Sequence, residues 1–217
     1  MDMKLAVAID GPAGAGKSTI AKILGKKFDL MYINTGAMYR AVTFVAMKNN
    51  IAPTDIETLC SEVKKMEMHF ENDELYLNGE NINDRLTLPD ISKNVSEYAA
   101  IKEVRTLLVD LQRNMAQKYD SIMDGRDIGT VVLKDAKYKF FLTATPEERA
   151  DRRYKEFKEK HLDVKYEDIL EDIKKRDYYD THREVDPLRK ADDAVQIDTT
   201  GLDIDGVVNK ISKYIVK

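Results

Sequence analysis

Near the start of the chain an apolar run, Leu5 to Ile9, meets Asp10-Gly11-Pro12-Ala13-Gly14-Ala15-Gly16-Lys17-Ser18-Thr19. Few stretches of this length restrict a fold as much. Leu5 to Ile9 is short and continuously apolar, as a parallel strand buried on both faces must be. Beyond the glycines, Ile20, Ile23, Leu24 and Phe28 fall at helical spacing. A tight glycine-rich turn between strand and helix points backbone N–H groups inward, and the helix N-terminus adds partial positive charge. Gly11, Gly16, Lys17 and Ser18 match G-x-x-x-x-G-K-[ST], the P-loop pattern. In such a loop Lys17 reaches the β- and γ-phosphates and the Ser18 hydroxyl sits on Mg²⁺. Gly11 to Thr19 is therefore read as a triphosphate-binding loop.

The 217 residues, 43% hydrophobic and 34% charged, suit one large α/β domain or a core with a modest insertion. A formal charge of −4 gives no bulk attraction to nucleic acid or anionic lipid. The single Cys60 excludes an internal disulfide, and its spacing assigns it to the core of a helix. No cationic-apolar leader precedes Lys4 and no apolar run is long enough to span a bilayer. A cytoplasmic protein is expected.

Met31 to Asn34 reads as a second strand, and Thr35-Gly36 turns into a helix buried along Met38, Ala41, Val42, Val45 and Ala46. This is the opening of a parallel sheet with helical crossovers. Thr54 and Glu57 have capping-box spacing, with Thr54 as N-cap, ahead of a short helix marked by Ile56, Leu59, Cys60 and Val63. From Met66 to Ile82 the period changes to two, with turns at Asn72-Asp73 and Asn78-Gly79. That pattern predicts an antiparallel meander, either a small appended subdomain or a surface hairpin of no consequence. A long helix follows through Val104, Leu107, Leu108, Leu111 and Met115, then strands at Ser121–Asp124 and Tyr138–Thr143. Thr145-Pro146-Glu147-Glu148 starts a highly charged helical region. Val195–Asp198 and the periodic Ile204, Val207, Val208, Ile211 and Ile215 close the chain as strand and helix.

Arginines accumulate where sites form in open α/β sheets, at strand ends and helix starts. Arg40 follows the second strand, and Arg126 follows Asp124-Gly125. Arg149, Arg152 and Arg153 share one helix face, as do Arg176, Asp180 and Arg183. Arginine suits phosphate because its fork binds two oxygens and stays charged. Each also has a plainer use. The Arg149 group lies among Glu147, Glu148, Asp151 and Glu156, where exposed ion pairs of small worth would form. Asp124 could hold Mg²⁺ through water or simply cap a turn. His69, His161 and His182 have no metal-ligand spacing, and no Ser-His-Asp or Cys-His system is present.

Three further stretches narrow the chemistry. Thr35-Gly36-Ala37-Met38-Tyr39-Arg40, Asp124-Gly125-Arg126-Asp127-Ile128-Gly129-Thr130, and Arg176-Asp177 through Asp180 and Arg183, in that order after the glycine loop, resemble bacterial-type cytidylate kinases over nearly the whole chain. The resemblance implies an α/β fold of the P-loop NTPase type. It would be a parallel sheet flanked by helices, with a small antiparallel β insert and a helical lid. Residues 1–217 would form one nucleoside monophosphate kinase domain. Its core would be about 1–34 and 97–217, with a lid at about 149–180 and a monophosphate-binding region at about 35–96. It further implies γ-phosphoryl transfer from Mg²⁺-bound ATP to CMP or dCMP. Gly11, Pro12, Ala13, Gly14, Ala15, Gly16, Lys17, Ser18 and Thr19 would hold ATP, with Ser18 on the metal. Arg40, Arg126 and Arg183 match the clamp on the acceptor phosphate. Ser96, Arg105 and Asp127 match the readers of cytosine, and Arg176 and Asp180 the sugar contacts. Thr35 and Tyr39 line the same pocket, and Arg149, Arg152 and Arg153 match the lid. Lys17, Arg126, Arg152 and Arg153 are the catalytic candidates.

The sequence departs from the pattern at Asn34, where much of that family has an acid, and at Thr35, where some members have Ser. Small-molecule substrates, no nucleic acid, no membrane and a monomer are expected. Two rival readings stay open. One is another P-loop kinase acting on UMP, AMP or a shikimate-like alcohol, with Asp124 or Asp127 as base. The other is a nucleotide-dependent switch, which would need a partner surface that the sequence does not display.

Overall fold

The computed structural model describes residues 4–159 and 161–216. Strand β1 (Ala6–Asp10) runs down the middle of a five-stranded sheet. It is flanked by β6 (Ser121–Gly125) and then β2 (Met31–Asn34) on one side, and by β7 (Tyr138–Thr143) and β8 (Val195–Asp198) on the other. All four pairings are parallel. The connection after β1 runs to β2 on one side and the connection after β6 crosses to β7 on the other, so a crevice opens at the carboxyl end of β1, where ligands bind in such sheets. The glycine loop begins there.

Alternation along β1 splits the core in two. Val7 and Ile9 face α1 (Lys17–Phe28) and α9 (Ile204–Ser212), through Ile20, Leu24, Val207, Val208 and Ile211. Ala8 faces the opposite layer, built from α2 (Thr35–Lys48), α3 (Ile56–Lys65) and α6 (Lys102–Lys118). The predicted strands and these helices are present. Ile23, by contrast, is 36% exposed, at the edge of the buried face of α1.

Two local expectations fail. Asp55, not Thr54, caps α3, its Oδ1 accepting from Thr58 N at 3.2 Å. An aspartate one position later serves the same helix start, so the helix begins one residue on. Cys60 is half-buried rather than core, because Leu59 and Val63 take the inward positions of so short a helix.

The meander forms β3 (Met68–Glu71), β4 (Glu74–Leu77) and β5 (Glu80–Asn81). Asn72 and Asp73, then Asn78 and Gly79, all have positive φ, the geometry that two-residue hairpin turns require. Met68, Phe70, Leu75 and Leu77 are buried in the main core cluster. The meander is therefore an integral wall of that layer and not an idle surface hairpin. It hands the chain to α4 (Asn83–Leu86) and α5 (Pro89–Ala100). Neither helix is anticipated above, although Pro89 at the first turn and Ile91, Val95 and Tyr98 at i, i+4 and i+7 mark the second. A π-helical segment, Ile128–Val132, also goes unforeseen. The charged region forms α7 (Pro146–Glu159) and α8 (Tyr166–His182), packed on each other. Thr145 caps α7 as expected, its Oγ1 accepting from Glu148 N at 3.1 Å.

Gly11 is the point where this architecture is least tolerant. It has φ of +146°, and a Cβ there would lie 2.1 Å from the backbone carbonyl oxygen of Leu142 on β7. Gly11→Ala is expected to cost about 3 kcal/mol, the combined scale of overpacking and backbone strain. Urea denaturation of the variant measures it.

Candidate active site

Gly14 and Gly16 also take positive φ, which turns the loop into the N-terminus of α1. Lys17 is 5% exposed, and its Nζ donates to Pro12 O at 2.7 Å, back across its own loop. Burial lowers its pKa well below the ordinary value, and the charge of Arg126 pushes the same way. Beside it, Ser18 Oγ donates to Asp124 Oδ2 at 2.8 Å and the Tyr32 hydroxyl donates to Asp124 Oδ1 at 2.8 Å. Both oxygens of the Asp124 carboxylate thus accept from side-chain hydroxyls, and one of them lies against Ser18. Two hard oxygen donors side by side suit Mg²⁺.

Facing this bank are charges drawn from four elements. Arg126, just past β6, donates from Nε to Asp180 Oδ2 of α8 at 2.7 Å. Burial would raise the Asp180 pKa, but Arg126, Arg176 and Arg183 together hold it below the ordinary carboxylate value. Arg176, one turn earlier on α8, has a buried Nε with no hydrogen-bond partner. Burial first, and then Arg126, lower its pKa to about 10. Arg40 of α2 is likewise lowered by burial and by the charges of Arg153 and Arg126. Arg40 Nη1 donates to Leu86 O at 2.9 Å and Ser92 Oγ at 2.7 Å, so the helices after the meander hold it in place. Arg40, Arg126, Arg153 and Arg176 thus influence one another, with Asp180 paired to Arg126 among them. That is a field for an anion.

The third group is deeper. Arg105, 1% exposed on α6, pairs through Nη2 with Asp127 Oδ2 and through Nε with Asp186 Oδ2 at 2.9 Å. Its guanidinium also lies 5.5 Å from the ring centre of Tyr39. Arg183 Nη2 is 3.8 Å from Asp127 Oδ1, and its Nε donates to Asp186 O at 2.8 Å. Burial raises the Asp127 pKa against the pull of Arg105 and Arg183. Burial likewise keeps the Tyr39 hydroxyl protonated.

Other anticipated residues are engaged differently. The Thr35 hydroxyl donates to Asp124 O at 2.7 Å, tying α2 to β6. Asn34 caps α2, its Oδ1 accepting from Ala37 N at 2.9 Å, which gives the departure at this position a local role. Ser96 is half-buried on α5. Arg149 is 2% exposed, so exposed ion pairing does not describe it. It spans Ala13 O at 3.0 Å, Ala144 O at 3.1 Å and Asp177 at 2.5 and 2.9 Å, clamping α7 and α8 to the glycine loop. Arg152 donates to Thr199 O at 2.8 Å and pairs with Glu148, while Arg153 is exposed, beside Glu156 and Phe157. Among the described residues no group of histidines, cysteines or acids could form a metal cluster, and no helix is long and apolar enough to cross a membrane.

Asp10, Tyr32, Ser92, Asp177 and Asp186 belong to this constellation without having been anticipated. Asp10 is buried, 4% exposed. Its Oδ1 accepts from Ile128 N at 2.8 Å and its Oδ2 from Gly129 N at 2.7 Å. Burial lifts its pKa from 3.8 to about 6, with the two N–H groups opposing. The folded state therefore holds this proton more tightly than the unfolded chain. The stability it contributes is complete below about pH 4 and is lost as pH rises to about 6, a change of about 3 kcal/mol. Relative to wild type, Asp10→Asn should gain that amount between about pH 4 and 7, read by urea denaturation at both values.

A loop of P-loop pattern at the switch point of a parallel sheet, opposite an arginine field, defines a P-loop kinase-type fold. Two solved structures have this fold. An uncharacterized protein from Eubacterium ventriosum aligns with TM-score 0.55 and 16% identity over 98% of each chain. A putative kinase from Chloroflexus aurantiacus aligns with TM-score 0.50 and 13% identity over 99% of this chain and 100% of that one. The family described as cytidylate kinase matches residues 7–217. A cytidylate kinase of Clostridium perfringens is 68% identical over the full length of both chains. One of Clostridium tetani is 59% identical over 98% of this chain and 94% of its own. The chain belongs to the cytidylate kinase family. It is accordingly a nucleotide phosphotransferase.

Proposed function

We propose that this protein transfers the γ-phosphoryl group of ATP to CMP and dCMP, releasing ADP with CDP or dCDP. The observation that carries the proposal is the buried Arg176 Nε without a partner, inside the field of Arg40, Arg126 and Arg153. Like charges are gathered there at a cost that a bound anion removes. Family membership supports taking that anion to be the acceptor nucleotide, its phosphate toward Arg40 and Arg126 and its sugar toward Arg176.

In this reading Gly11 to Thr19 wraps the donor phosphates with backbone N–H groups, and Lys17 exchanges Pro12 O for a phosphate oxygen. Ser18, with Asp124 against it, would hold Mg²⁺, which when bound screens the phosphate charge and orients the β- and γ-oxygens. Arg40, Arg126 and Arg183 clamp the acceptor phosphate. Arg105, Asp127 and Ser96 read the cytosine edge, Tyr39 packs beside them, and Arg176 and Asp180 contact the sugar. Thr35 supports the pocket by fixing α2 on β6. An acceptor phosphate oxygen is already ionised near neutral pH, so no residue need remove a proton. The work is charge stabilisation and alignment of two anions. Arg152 and Arg153 on α7, with α8, act as the lid that completes the site and excludes competing water, and Arg149 anchors that lid to the loop.

A coupled ADP-release assay with ATP and Mg²⁺ across CMP, dCMP, UMP, AMP and shikimate tests the proposal. Selective turnover of the cytidine nucleotides is expected. Preference for any of the other acceptors would replace it.

A further inference from the structure

After β6 the chain turns through Arg126 and Asp127 into the π-helical segment Ile128–Val132. The first N–H groups of a helical turn have no partners within it. The residue that ordinarily supplies an acceptor is the one at the N-cap, and aspartate is among the best suited. Here the N-cap is Asp127, yet its side chain does not cap. It is turned instead toward Arg105 and Arg183. The acceptor comes from Asp10, 118 positions earlier in the chain, which takes both Ile128 N and Gly129 N.

The backbone at Asp10 does not need its carboxylate. Asp10 lies in register with Gly125 on one side and Phe141 on the other, so strand pairing already fixes the start of the glycine loop. Residues 126–129 have no such support. The backbone bonds of the turn, Val131 N and Val132 N to Asp127 O, leave the Ile128 and Gly129 N–H groups unused. We infer that Asp10 is a positioning residue for base recognition: it caps the Ile128–Val132 turn in place of Asp127, leaving the Asp127 carboxylate to hold Arg105 and Arg183. The inference rests on the reading of Asp127 and Arg105 as the cytosine-binding pair. Without Asp10, two buried donors are orphaned, and Asp127, which occupies the N-cap position, is the residue placed to serve them. Capping by Asp127 would take its carboxylate away from both arginines.

The test compares Asp10→Asn and Asp10→Ala with wild type, using CMP and UMP as alternative acceptors at fixed ATP, and then varying ATP. A misplaced reading group costs on the order of 10–100-fold. A fall of that size is expected in kcat/KM for CMP, with a parallel loss of preference over UMP and KM for ATP changed less than about twofold. Equal rises in both KM values, or CMP preference unchanged in a folded variant, would overturn the inference. Gly129→Ala approaches from the other side: its Cβ would lie 3.4 Å from Asp10 Oδ2 and 3.2 Å from Lys139 Cδ, nudging the carboxylate without breaking the fold. It carries the test if neither Asp10 variant folds. A smaller loss of CMP preference supports the inference, and an unchanged preference sinks it. Wild type on the same panel separates the two claims. Failure of wild type to use CMP strikes the proposed function, whereas a selective wild type with a selective Asp10→Asn strikes the role of Asp10 alone.

Discussion

Replacing Lys17 by Met should lower kcat by about 10²–10³-fold, the scale set by losing one preorganised charge at a developing anion. The fold should survive. Lys17 is buried with a lowered pKa, so its ammonium is held out of water at a cost that the methionine thioether avoids. Its hydrogen bond runs to Pro12 O within the same loop, not to another element. Activity and stability should therefore part company: kcat collapses while the urea midpoint stays the same or rises. Comparable losses in both would mean that Lys17 serves the loop and not the phosphate.

Asp127→Ala should do the reverse, harming stability and selectivity together. The substitution leaves Arg105 with Asp186 as its remaining acid and Arg183 with none among its described ion pairs. Removing one partner from a buried charge group costs about 3–5 kcal/mol. Asp127→Asn keeps an acceptor oxygen and should lose less. In both variants KM for CMP should rise far more than KM for ATP, because Asp127 sits beyond the arginine field and the donor loop is formed from other residues. A coupled assay that varies each substrate in turn, with urea denaturation alongside, reads both effects. Equal damage to the two KM values would remove Asp127 from base recognition.

What could be read from the sequence was local. The alternation in Met68–Leu77, the hairpin turns at Asn72-Asp73 and Asn78-Gly79, and the Thr145 cap involve neighbours within a few residues. Periodicity and turn chemistry report such features directly. Errors at this level were small and local too, as when Asp55 rather than Thr54 began α3. The arginine positions were legible as a set because strand ends of a parallel sheet converge. Their individual engagements were not. Arg149 looked like one more exposed cation in an acidic helix, but it is buried against Ala13 and Asp177, 136 and 28 residues away. Asp186 had no periodic or motif signal, yet it completes the Arg105 group from 81 residues away.

The glycine loop, the strands and most of the helices, and the gathering of arginines at strand ends and helix starts were determined by the sequence alone. Each depends on residues close together in the chain. Tertiary structure decided which of those charges are neutralised and which are left for a ligand. Asp124 was brought to Ser18, Asp180 to Arg126, and Asp10 to the turn that Asp127 would otherwise cap. The energy of a charge depends on its burial and its partner, and both are set by segments that meet only when the sheet has formed.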